Sequence, residues 1–267
     1  MSIDGRYVAF RYYGSRQDYV EVYNEDGNKL WSTSFDDIFP VTFSKDGLYV
    51  ALGITEKEKR RSILGKSKRI YHYYIVLYNR AGKSLWKYKT GVDKNAVYYI
   101  DFSKNNLIIA GSSKTTFLFD INSNLLWKKE VGGKVKISDD GKFIAVAKDS
   151  LILLNENGEV IWEQRLGGSA ESLSMTPDAF LIAVGMDDGK VYLFSKDGKL
   201  LWSYQTDGKV FEIRVSSDGK YVSAGLGDGE SISLTAQGTS YGSIRCQKVA
   251  GVLSFHWAYR TTAATSS

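Results

Sequence analysis

The chain has 267 residues, 43% of them apolar, with 35 Lys and Arg against 30 Asp and Glu and a formal net charge of +5. That length suits one closed domain with a large core, and no run of 18 apolar residues is present to cross a bilayer as a helix. Cys246 is the single cysteine, which excludes an internal disulfide, and two histidines beside it are too few for a transition-metal site.

Two short patterns alternate from the first residues onward. One reads apolar-x-apolar-Ser-x-Asp-Gly-x-aromatic-apolar-Ala-x-Gly. It is cut short at its front in residues 1–10 and recurs at 41–53, 100–112, 135–147, 173–185 and 213–225. The other is an alternating apolar run, a turn rich in Asn, Asp and Gly, and a second run ending in tryptophan. Its copies end at Trp31, Trp86, Trp127, Trp162 and Trp202, in steps of 55, 41, 35 and 40 residues. Alternation places successive side chains on opposite sides of an extended strand. Asp-Gly supplies the positive-φ positions of a tight turn, and Ser and Asp close such turns through side-chain-to-backbone bonds. Each pattern is therefore a hairpin, with Leu200, Trp202 and Tyr204 expected on one face of the last strand. Two hairpins per period of about 40 residues give units of four strands, the size of a propeller blade.

The fold predicted is all-β, a single propeller of four-stranded blades spanning 1–260, six in number, with seven as the alternative. The blades fall at about 1–35, 39–90, 97–131, 134–167, 171–206 and 210–258, with 261–267 as a tail. The first blade lacks its first strand. Val249–Trp257 is expected to supply it; a divergent tail or part of a seventh blade are the alternatives. Each repeat tryptophan is expected between neighbouring blades, where full burial of an indole would contribute about 4–6 kcal/mol gross.

The Asp-Gly-x-x-Leu-Trp element, as in Asp26–Trp31 and Asp197–Trp202, resembles the Trp-docking element of PQQ-like repeats. The Ser-x-Asp-Gly-x-aromatic element resembles the inner hairpin of many WD40-like repeats. Over roughly residues 1–235 the chain thus looks like a WD40-like or PQQ-like repeat β-propeller. The resemblance implies the fold; such propellers host many unrelated activities. The eight blades and adjacent-cysteine disulfide of a quinoprotein dehydrogenase are missing, so no quinone or other cofactor is inferred.

One stretch departs from the repeat. Residues 54–74 form an insertion in blade 2 with seven cations, Lys57, Lys59, Arg60, Arg61, Lys66, Lys68 and Arg69, and two acids, Glu56 and Glu58. Seven minus two is +5, the formal charge of the whole chain, so the excess sits in this one projection. Gly65 is placed at a hairpin tip, and Tyr71, Tyr73 and Tyr74 follow. Three readings stand. The insertion is a basic arm for an acidic partner, whether protein, nucleic acid or an anionic surface. It is a solvated extension of the hairpin. Or it docks internally on Asp36-Asp37 or Asp187-Asp188. No base-reading motif accompanies it.

Loops held by a rigid scaffold are where function concentrates. The acids Asp36, Asp37, Asp187, Asp188 and Asp228 are expected in loops on the same face as the insertion. Converging on a channel mouth, they could build an active site or hold a cation; as ordinary turn residues they would do neither. Gly65-Lys66-Ser67 and Gly82-Lys83-Ser84 lack the first glycine of a P-loop. Gly238–Gly242 matches G-x-S-x-G, without the strand-to-helix turn or the intervening acid a hydrolase needs. The leading functional reading is a non-catalytic binding scaffold for a protein partner, contacting it through Lys57, Lys59, Arg60, Arg61, Lys66, Lys68, Arg69, Tyr71 and Tyr73. The alternative is an enzyme built on the acidic loops. No signal peptide is visible, but Met1 falls inside a repeat, as expected of a trimmed chain, and the compartment stays open.

Overall fold

The computed structural model describes residues 2, 4–61, 67–227 and 229–245. Val249–Trp257, expected to complete the first blade, Cys246 and His256 lie outside the described residues, as do Lys66 and Asp228. Among the described residues are 23 strands and no helix, arranged in six sheets. The first sheet holds β1 (Tyr7–Tyr13), β2 (Asp18–Asn24) and β3 (Lys29–Phe35). The second holds β4 (Asp37–Phe43), β5 (Tyr49–Arg61), β6 (Ser67–Asn79) and β7 (Ser84–Val92). The third holds β8 (Val97–Phe102), β9 (Ile108–Ser112), β10 (Thr116–Phe119) and β11 (Leu125–Lys129). The fourth holds β12 (Lys134–Ile137), β13 (Phe143–Ala147), β14 (Ser150–Asn155) and β15 (Val160–Arg165). The fifth holds β16 (Ala170–Met175), β17 (Leu181–Met186), β18 (Lys190–Ser195) and β19 (Leu200–Gln205). The sixth holds β20 (Val210–Val215), β21 (Tyr221–Leu226), β22 (Glu230–Thr235) and β23 (Ser240–Arg245). Within every sheet the strands follow chain order, the up-and-down arrangement of a propeller blade.

The turns inside the first hairpins carry one repeated set of bonds. In Ser44–Tyr49 the Ser44 hydroxyl donates to Asp46 Oδ1 at 2.6 Å and accepts from the Tyr49 N–H at 3.0 Å. Asp46 Oδ1 also accepts from the Leu48 N–H at 3.0 Å. The same three contacts recur at Ser2–Tyr7, Ser138–Phe143, Thr176–Leu181 and Ser216–Tyr221. The side chains thus satisfy the backbone groups that a two-stranded turn leaves open.

The second hairpins carry the tryptophans. The indole N–H of Trp31 donates to the Arg80 carbonyl, Trp86 to Ile121, Trp127 to Glu156, Trp162 to Lys196 and Trp202 to Ala236, all at 2.7–3.0 Å. Each acceptor lies in the corresponding turn of the next repeat. The indoles keep intermediate exposure, so full transfer of a tryptophan from water overstates their contribution. Just before each of Trp31, Trp86, Trp127 and Trp202 the register with the preceding strand slips by one residue. Trp202 therefore opposes Leu193 while Leu200 opposes Phe194, and the two fall on opposite faces. The expectation that Leu200 and Trp202 share a face is corrected by this β-bulge, which exposes Leu200 and Leu201 and turns the indole toward the neighbouring turn.

The residues divide into two compact units, Met1–Val146 with Leu153–Ile161, and Ala147–Ile152 with Trp162–Ser267. The first unit includes two cores among the described residues. One joins Val20 and Val22 to Ile38, Val50, Leu52 and Val76. The other joins Ala51, Ile75 and Leu77 to Ile100, Phe102, Ile108, Phe117 and Phe119. In the second unit Leu181, Ala183, Val191 and Leu193 meet Val210, Ile213, Val222 and Ala224. Both faces of the second sheet are thus buried within the first unit, which gives the arm below a rigid base.

Candidate partner-binding arm

Residues 54–74 are drawn out as two long strands rather than a loop. β5 and β6 each run 13 residues, and their ladder is unbroken from Tyr49↔Asn79 to Arg61↔Ser67. The other two strands of the sheet stop short. β4 pairs with β5 only as far as Asp37↔Thr55, and β7 pairs with β6 only as far as His72↔Val92. Beyond those pairs the hairpin stands alone for about 20 Å at the usual strand rise.

Alternation sorts the arm into two faces. Glu56, Glu58, Arg60, Lys68, Ile70 and His72 share one, through the pairs Glu56↔His72, Glu58↔Ile70 and Arg60↔Lys68. The acids of this face are occupied. Glu58 accepts from Arg60 Nε at 2.8 Å and lies 2.9 Å from His72 Nε2, and Glu56 pairs with Lys87. The Arg60 guanidinium, then His72, holds the Glu58 carboxyl below its ordinary value. Lys68 pairs with Asp93 at 3.6 Å, and the Tyr71 N–H, with Lys68, holds the Asp93 carboxyl low.

The other face carries Thr55, Lys57, Lys59, Arg69, Tyr71 and Tyr73, with no acid among them. At its base Lys57 Nζ pairs with Asp37 at 3.1 Å, while the Lys57 N–H donates to Asp36 Oδ2. Tyr71 and Tyr73 are half-buried, and burial, followed by the neighbouring Tyr98 and Asp93, raises the Tyr73 hydroxyl above its ordinary value. Lys59 and Arg69 sit directly opposite each other, both exposed, and neither meets a carboxylate among the described residues. Like charges directly opposed on a sheet destabilise it. Of the remaining residues expected to contact a partner, Arg61 holds the last register position of the ladder.

The candidate channel-mouth acids are engaged locally. Asp36 and Asp37 hold Lys57 as described. In the other unit Asp187 Oδ1 accepts from the Ser169 N–H at 3.3 Å. Asp188 bonds the backbone and side-chain nitrogens of Lys190, and the Lys190 ammonium keeps its carboxyl low. Among the described residues no group of three or more His, Cys, Asp and Glu is placed to hold a metal ion. Sequence reasoning overlooked Glu56, Glu58, His72, Lys87 and Asp93 as the groups that neutralise half of the arm. The strict alternation of Glu56-Lys57-Glu58-Lys59 was the available signal, because in a strand it separates acid from base.

Six in-order sheets, five of four strands and one of three, linked by repeat-to-repeat tryptophan docking, define a β-propeller of PQQ-like repeats. The model of the family described as outer membrane protein assembly factor BamB matches residues 16–248, and the chain belongs to that family. No curated protein matches the chain.

Proposed function

We propose that this chain is a non-catalytic propeller scaffold whose blade 2 arm grips a protein partner through acidic groups on that partner. The observation that carries the reading is the Lys59–Arg69 pair: two exposed, opposed cations without a carboxylate among the described residues, flanked by Tyr71 and Tyr73 on an acid-free face. An incoming carboxylate relieves the repulsion and gains two charge-assisted bonds. The tyrosines offer rigid, amphipathic contact area at low entropic cost. The family description names an assembly factor for outer membrane proteins, a role toward proteins, and this supports a protein partner over nucleic acid or a small molecule.

The test compares the intact chain with a version in which residues 56–71 are replaced by a short Gly-Ser turn. Poly-glutamate, single-stranded DNA and phosphatidylserine vesicles are offered across a salt series. Poly-glutamate should bind the intact chain, weaken with salt and lose its binding with the arm. Binding that survives replacement of the arm, or preference for DNA or vesicles over poly-glutamate, overturns the assignment.

A further inference from the structure

We propose that the arm takes its partner as an added β-strand: an extended segment with an acid at every second residue pairs along the free edge of β5 beyond Lys57. The inference rests on the arm being the contact element and adds how the contact is made.

The backbone geometry points to it. The Lys57 N–H is turned away from β6, because it donates to Asp36 Oδ2. Its cross-strand partner Tyr71 is likewise turned outward: its N–H donates to Asp93 Oδ1 at 3.0 Å and its carbonyl accepts from the Asp93 N–H at 2.7 Å. Lys57↔Tyr71 is therefore a non-hydrogen-bonded pair of the ladder. Hydrogen-bonded and non-hydrogen-bonded pairs alternate along an antiparallel pair, so Lys59↔Arg69 and Arg61↔Ser67 are of the same kind. Their N–H and C=O groups face outward, and no described strand pairs with β5 past Thr55 on that side. Asp36 caps the first of these outward donors. Lys59 and Arg61 are the next two, spaced about 7 Å apart as the groups of an added strand require.

Charge decides which strand the edge accepts. Exposed edges are commonly guarded by lysine against indiscriminate pairing. Here the guard is one-sided, since the acid-free face carries Lys59 opposite Arg69 while the opposite face is neutralised by Glu56 and Glu58. A second copy of the arm would bring like charges together. A segment with acids at alternate positions sets them on the acid-free face in line with Lys57 and Lys59, with Arg69 one strand further in, while its backbone meets Lys59 and Arg61. Lys59 then supplies both charge and edge, which a compact acidic patch could not use together.

Three short peptides of equal charge test this on the full chain: glutamate alternating with threonine, the same residues in two blocks, and the alternating peptide N-methylated at every second amide. Alternation should bind at least tenfold more tightly than the blocked isomer, and N-methylation on the edge-facing amides should abolish the difference. Lys59→Pro and Lys59→Gln remove the same charge, but only proline removes the outward donor while sparing the β5–β6 ladder. Proline should weaken the alternating peptide severalfold more than glutamine does. Equal binding of all three peptides, or equal effects of the two substitutions, overturns strand addition and leaves an arm that acts through side-chain charge alone. Binding of the alternating peptide that persists when residues 56–71 are replaced sinks the arm as the contact element as well. Failure of the alternating peptide to bind the intact chain also overturns the inference, while the poly-glutamate salt series still judges the arm.

Discussion

Gly27 and Gly82 occupy the same position in successive repeat turns, with φ of 78° and 82°, so an added Cβ meets the same left-handed backbone at both. At Gly27 that Cβ meets nothing within 4 Å among the described residues; at Gly82 it would lie 2.5 Å from Cγ and 2.7 Å from Cβ of Trp31. Gly27→Ala should therefore cost only the left-handed penalty of about 1–2 kcal/mol, less the roughly 0.5–1 kcal/mol recovered from the unfolded chain. Gly82→Ala carries that cost and also drives Trp31 from its seat. Trp31 would lose its stacking on Tyr78, at 5.2 Å between ring centroids, and its 3.0 Å bond to the Arg80 carbonyl. Overpacking adds about 1–3 kcal/mol and the lost hydrogen bond about 1 kcal/mol. The two variants should differ by about 2–4 kcal/mol, read as separate urea midpoints at equal slope, and by roughly 4–16 °C in melting temperature. Equal losses at both positions would refute the claim that tryptophan docking, rather than turn conformation, holds one repeat on the next.

Asp18 is nearly buried and serves two partners, Arg11 Nη2 at 3.1 Å and the Ile38 N–H at 3.1 Å. Asp18→Ala should destabilise by about 2–4 kcal/mol in denaturant, since it leaves a buried donor unsatisfied and takes the carboxylate from the Arg11 guanidinium, which keeps only the Phe39 carbonyl at 3.0 Å; Asp18→Asn, which keeps an acceptor for Ile38, should cost clearly less. Acid stability should also depend on two hydrogen-bonded carboxylates, Glu21 and Asp218. The Tyr12 and Tyr23 hydroxyls with the Lys29 ammonium hold Glu21 down to about 2 from an ordinary 4.5, and the Ser216 hydroxyl with the Lys220 N–H holds Asp218 down to about 2 from 3.8. Between those values the unfolded chain binds more protons than the folded one, so this stabilisation is complete above pH 4.5 and is lost as pH falls toward 2. Glu21→Gln combined with Asp218→Asn should flatten the urea midpoint against pH across that window, and an unchanged slope would count against the pairing.

Residues close in sequence determined the hairpins. Ser44, Asp46, Leu48 and Tyr49 close their turn among themselves, so six residues suffice to read it, and the six copies of the sequence pattern match the six sheets. The excess charge of residues 54–74 was equally plain, because composition needs no partner. What each tryptophan touches lies 29–49 residues away, and the one-residue bulge that turns it there has no local mark, since Leu200 and Leu201 are both apolar. The arm divides in the same way. Its cations belong to the sequence, but their split into a neutralised face and a bare one depends on the register of β5 against β6. The Asp37 and Asp93 partners arrive from segments on either side of the hairpin. Register and neighbour identity are set by long-range pairing, which only the folded chain decides.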